Sequence, residues 1–124
     1  MPQSFGCLHV HIVFSTKNRE PFLSPELTPD LYPYMGGILR NTGSRLIEIG
    51  GMANHVHLLV SLGRESCVAD TVRDVKANSS RWVHENFPGR TAFAWQAGYG
   101  AFAVSFSGVA AVREYIQNQA VHHQ

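Results

Sequence analysis

The stretch "NHVHLLVSL" at 54–62 decides how this chain must fold. Its residues alternate: His55, His57, Leu59 and Ser61 share one face of an extended strand, and Val56, Leu58, Val60 and Leu62 share the other. A strand with one wholly aliphatic face needs a second layer to bury it. An earlier stretch, "LHVHIVF" at 8–14, repeats the design. There His9, His11 and Val13 face one way, and Val10, Ile12 and Phe14 the other.

The flanking segments supply the missing layer. "RLIEIGG" at 45–51 reads as a strand, joined by a tight connection to 55–62 in a hairpin. "PELTPDLYPYMGGILRN" predicts a helix from about Pro25 to Asn41, strained by Pro29, Pro33 and Gly36-Gly37, with Gly43 as its stop. Ser66 is placed to cap a second helix, in which Val68, Val72, Val75 and Trp82 recur at helical spacing. Pro88-Gly89 ends it. An aromatic run predicts a fourth strand around 95–106, bulged at Gly98 or Gly100. Ser107 is expected to cap a last helix, "GVAAVREYIQNQAVHH". This order predicts an α+β fold, a ferredoxin-like (RRM-like) βαββαβ antiparallel sheet with helices on one face, plus a C-terminal helix carrying Tyr115. In that topology the first and third strands are central neighbours, so both His-x-His pairs lie side by side on the uncovered face.

Bulk properties narrow the function classes. The 124 residues fit a single domain spanning 1–124, and 44% hydrophobic content suffices for one modest core. No apolar run approaches the roughly 18–20 residues of a membrane helix, and the N-terminus lacks the positive region of a signal peptide. Cys7 and Cys67 form no C-x-x-C motif. A cytoplasmic protein without membrane contact is expected. A formal net charge of +1 means that nucleic-acid binding would need a local patch.

Four residues carry the strongest chemical signal. His55 and His57, at i and i+2 of a strand, lie about 6.6–7 Å apart at Cα and can converge on one cation. Taken alone, they can equally be two polar residues on a solvated face. Tyr115 and Gln119 stand at i and i+4 of the last helix, on one side of it. A tyrosine hydroxyl, with an ordinary pKa near 10, is a weak nucleophile without a Lewis acid. Together the set offers three ligands and a nucleophile. Attack on a phosphodiester would yield a phosphotyrosine, which keeps the ester for rejoining.

The ordered blocks "HIVFSTKNREPFL", "NHVHLLVSL", "VKANSSRWV", "FAWQAGYGAFAVS" and "VREYIQNQAVHH" closely resemble the single-tyrosine HUH transposases of small bacterial and archaeal insertion sequences. The resemblance runs from about His11 to His123 and extends to the REP-associated tyrosine transposases. It implies that His55, His57 and Gln119 bind a divalent metal, Mg²⁺ or Mn²⁺. It implies Tyr115 as the nucleophile, forming a 5′-phosphotyrosine on single-stranded DNA and freeing a 3′-OH. It further implies hairpin recognition near element ends, and a homodimer in which one subunit's tyrosine helix can complete the other's site. Such chains commonly continue with a further C-terminal segment, whereas this sequence stops at Gln124.

The remaining candidates are weaker. Lys17 and Arg19 match the family's basic loop and are candidate phosphate contacts. His11 reads as a DNA-facing or supporting residue of the first strand. Lys76 and Arg81 divide between DNA contact and plain solvation, and Trp95 and Tyr99 between base stacking and packing. Trp82 reads as core; His84, His122 and His123 read as surface residues. Two other functions fit the same fold: a non-catalytic nucleic-acid-binding module, or a structural metal protein binding Zn²⁺ through His9, His11, His55 and His57.

Overall fold

The structure is a computed structural model that describes residues 8–119. Four strands form one antiparallel sheet: β1 (Leu8–Ser15), β2 (Arg45–Met52), β3 (His55–Leu62) and β4 (Gly100–Val104). Their spatial order is β2-β3-β1-β4, the expected ferredoxin-like arrangement. Helices α1 (Thr28–Asn41) and α2 (Val68–Asn86) cover one sheet face. Against them pack Val10, Ile12 and Phe14 of β1 and Val56, Leu58, Val60 and Leu62 of β3, all buried. The alternation read from the two histidine strands therefore builds the core. A third helix, α3 (Val109–Gln117), crosses the opposite face over β2 and β3. Helices α1 and α2 thus share one side with α3 on the other, and among the described residues the β1–β4 half of the histidine face stays open.

Several local expectations shift for physical reasons. Helix α1 begins at Thr28 rather than Pro25, because residues 25–27 form a turn closed onto the Ser24 carbonyl. Pro29 then falls in the first helical turn, where its missing N–H costs nothing. Gly43 does stop the helix: at φ 86° it lets its own N–H reach Arg40 O and that of Ser44 reach Leu39 O. Ser66 is not the cap of α2. Cys67 holds that position, and the Ser66 hydroxyl donates instead to the Thr42 carbonyl. Ser107 likewise caps nothing; the Ser105 hydroxyl accepts from Gly108 N ahead of α3. Residues 120–123 of the expected last helix lie outside the described residues.

The fourth strand is shorter than 95–106. Trp95 makes only an isolated bridge to Thr16, and the chain leaves the sheet before β4 begins. Gly98 at φ 90° has no place in a strand ladder, and Lys76 Nζ pins the loop by donating to Gln96 O and Gly98 O.

Leu58 tests the core directly. It is 1% exposed between α1 and α2, so Leu58→Ala should lower unfolding free energy by about 2–5 kcal/mol in urea titrations.

Candidate active site

The register of β1 on β3 fixes which histidines meet. His57 pairs with Val13 and His55 with Ser15, whereas His11 pairs with Leu59 and His9 with Ser61. Antiparallel neighbours reach diagonally by two residues. His11 accordingly lies on His57, with rings stacked at 5.1 Å and Nε2 2.9 Å from Nδ1 of His57. His55 meets the other side of His57, edge to face at 5.1 Å, and its Nδ1 lies 2.9 Å from Asn54 Oδ1. His9 is displaced along the strand, where its ring faces Phe106 at 6.2 Å. Among the described residues, no three His, Cys, Asp or Glu side chains are grouped so that they could hold a metal ion. Four strand histidines sharing one Zn²⁺ is therefore not the arrangement seen.

Helix α3 brings Tyr115 to this place, and Gln119 follows just beyond the helix end. The Tyr115 ring stands edge-on to His57 at 5.6 Å and to His11 at 6.0 Å, yet the residue is 51% exposed. Gln119, one turn later, is only 2% exposed, and its amide nitrogen donates to Tyr115 O at 3.4 Å. Close docking of α3 depends on Gly50, which pairs with His57 on β2. A Cβ there would lie 3.0 Å from the Ile116 carbonyl oxygen. Gly50 carries no pattern visible in one sequence. Glu48, two residues before it, also escaped sequence reading; it accepts from Arg113 Nε at 3.3 Å and Gln117 Nε2 at 3.2 Å. The open half of this face carries exposed Phe102, whose ring lies 6.0 Å from His11.

The basic candidates separate. Lys17 and Arg19 lie in a short 3-10 turn after β1, and Arg19 Nη1 donates to Ser15 Oγ, next to His55 in the register. Asn18 and Arg19 hold left-handed φ values of 55° and 57°, uncommon for residues with a Cβ. Lys76 and Arg81 belong to α2, on the far side of the sheet. Lys76 is occupied by the two loop carbonyls and lies over the Phe14 ring, and Arg81 donates to Asn78. Trp95 packs edge-on against Phe14 at 4.8 Å and donates to Ser79 Oγ, so it supports the core. Trp82 stacks on Tyr34 between α1 and α2 at 4.7 Å. Tyr99 is exposed, and His84 Nε2 lies 2.7 Å from Phe93 O. Cys7, His122 and His123 lie outside the described residues.

The sequence and its antiparallel β2-β3-β1-β4 sheet match known proteins. The profile of the family described as "Transposase IS200 like" covers residues 4–119, and the chain belongs to that family of DNA-cleaving and rejoining enzymes. It is 26% identical over 117 residues to the ISDra2 transposase TnpA of Deinococcus radiodurans, covering 90% of this chain and 84% of that one. It superposes on a crystal structure assigned as a transposase of Deinococcus radiodurans R1 with a TM-score of 0.72. Identity there is 27%, and 91% of each chain is covered. A REP-associated tyrosine transposase bound to a REP hairpin shares the fold, with a TM-score of 0.71 at 16% identity. That match covers 94% of this chain and 68% of the other. No helix among the described residues is long and apolar enough to cross a membrane.

Burial holds the His11 imidazole below its ordinary value of 6.5. Between the folded value and 6.5 the unfolded chain binds a proton that the folded chain refuses. The stability tied to His11 is thus complete above about pH 6.5 and declines as pH falls towards the folded value. Urea titrations from pH 7 to 5 should show this decline, and His11→Gln should flatten it.

Proposed function

We propose that this chain nicks and rejoins single-stranded DNA at hairpin-marked ends, with Tyr115 as nucleophile and a divalent cation, Mg²⁺ or Mn²⁺, at His55, His57 and Gln119. One observation carries the proposal: Tyr115 stands against the paired histidines while staying half exposed, open to an incoming strand. The donor chemistry suits such a cation. Two imidazoles and one amide oxygen form a nitrogen–oxygen set acceptable to divalent metals. Asn54 and His11 engage the Nδ1 atoms of His55 and His57, so each Nε2 would be the nitrogen offered to a ligand. A cation there would neutralise a phosphate oxygen and stabilise charge developing at phosphorus.

The protein's own part follows. The phenol of Tyr115 loses its proton and forms a bond to phosphorus. The bond from phosphorus to the 3′ oxygen breaks, and that oxygen takes up a proton to become a 3′-OH. One phosphodiester replaces another, so attack by a 3′-OH reverses the step without an energy cofactor. Lys17 and Arg19 at the His55 end of β1 are suited to hold phosphates of the bound strand. His11 supports His57 from β1. Lys76 and Arg81 are left out of this surface. A hairpin ligand agrees with the REP-associated relative, which was solved holding one. The family resemblance favours a homodimer, and contact of Tyr115 with His57 of its own chain favours sites completed within each subunit.

The test is covalent capture. Incubation with labelled single-stranded hairpin DNA and Mg²⁺ or Mn²⁺ should yield an adduct that survives denaturing gels. Tyr115→Phe and chelator should each abolish it. His57→Ala should slow it by at least about a hundredfold, matching several kcal/mol of charge stabilisation. An adduct formed by Tyr115→Phe would sink the nucleophile assignment, and cleavage indifferent to chelator would sink the metal. Verified heterodimers of Tyr115→Phe with His55→Ala should recover no activity; recovery would show that the subunits share sites.

A further inference from the structure

We infer that Glu48 is a positioning residue that sets the roll of the tyrosine helix over the histidines. The inference rests on Tyr115 acting as the nucleophile, as proposed above. Three observations converge on it. First, α3 is short, with nine residues from Val109 to Gln117, too few to be stable without tertiary support. Second, its anchoring is narrow. At about 100° per residue, Val112, Ile116 and Gln119 form the underside of the helix. Ile116 and Gln119 are buried, with Ile116 seated on Gly50. Tyr115 projects from one flank, towards His57 and His11 of β3 and β1. Arg113 and Gln117, one turn apart, project from the other flank, towards β2. A helix resting on one line of contact is free to roll about it. Glu48 removes that freedom, because a single carboxylate oxygen accepts from both Arg113 and Gln117.

Third, the sheet is locally irregular where Glu48 needs it to be. The β2–β3 register shifts between Leu46 and Glu48. Leu46 pairs with Val60 on the helix-covered face, while Glu48 pairs with Leu59 and Gly50 with His57 on the histidine face. Were Ile47 paired in the ladder instead of bulged, strict alternation would turn Glu48 towards the α1–α2 core and take Gly50 from beneath Ile116. The bulge therefore aims both the fulcrum and the clamp at α3.

Small errors of roll are costly. At a radius of about 6 Å, a roll of about 10° moves a side-chain tip by about 1 Å. A displacement of that size can cost on the order of a hundredfold in rate. Glu48 touches no reacting atom, so its loss should spare DNA binding and reduce the chemical step.

The experiment compares wild type, Glu48→Ala and Glu48→Gln in two assays. In the first, hydrogen exchange is followed by mass spectrometry without DNA. Glu48→Ala should speed exchange across 109–117 and leave β1 and β3 unchanged. Glu48→Gln keeps an acceptor oxygen and should restore most of the protection. In the second, adduct formation is measured under single-turnover conditions with saturating hairpin DNA and Mn²⁺. Glu48→Ala should slow it about tenfold to a hundredfold with hairpin Kd changed less than about threefold, and Glu48→Gln should recover most of the rate. Unchanged exchange in α3, or an unchanged rate despite faster exchange, overturns the inference. So does a parallel loss of β1 and β3 protection, which would make Glu48 a general stabiliser. If wild type forms no adduct, the nucleophile assignment fails, and the exchange assay alone decides whether Glu48 holds α3.

Discussion

The pairing of β1 with β3 at the centre of the sheet is the constraint on which the rest of this structure depends. One register serves two purposes at once. On one face it packs Val10, Ile12 and Phe14 beside Val56, Leu58 and Val60, giving α1 and α2 an unbroken apolar floor. On the other it brings His11 onto His57. A slip of one residue would turn every one of these side chains to the wrong face. Burial of the core therefore enforces the geometry of the site, since the two faces cannot be re-registered separately.

The second layer of organisation is the asymmetry of the histidine face. Helix α3 covers the β2–β3 half, and the β1–β4 half remains open with Phe102 exposed. Tyr115 stands at the boundary between them, touching the histidines and solvent together. The nucleophilic role proposed for Tyr115 on a polymeric substrate needs this kind of placement. The side chain must be supported on one side and reachable from the other. The docking rests on features of β2, the strand whose side chains look least remarkable in the sequence: a bulge, a glycine and one carboxylate.

The histidine strands, their alternating faces and the element order were legible because each rests on local periodicity. Gly43 was legible as a helix stop because the requirement for positive φ is local. The caps were misread because a serine's chemistry does not fix the chain path around it. Ser66 and Ser107 each have the right chemistry, but the chain path assigns Ser66 to Thr42 and gives the capping role near α3 to Ser105. The fourth strand was overextended because aromatic residues suit both strands and packed loops. Trp95 belongs to the second class, held by Phe14 and Ser79. Lys76 and Arg81 read from sequence as divided between DNA contact and solvation, and only the fold shows Lys76 engaged by the Gln96 and Gly98 carbonyls and Arg81 by Asn78.

Sequence alone determined which faces are apolar and which residues are candidates for chemistry, since side-chain type and two- or four-residue spacing are properties of the chain. It thereby singled out His55, His57, Tyr115 and Gln119 from the rest. Only the tertiary structure decided which members of the two His-x-His strings meet. Register carries His11 to His57 and leaves His9 beside Phe106. Only the tertiary structure, likewise, put Glu48 and Gly50 beneath the tyrosine helix. Those contacts join residues more than sixty positions apart, and their alignment depends on a single extra residue in β2. No local pattern encodes such a relation, because its energy arises only when the strand and the helix are already packed.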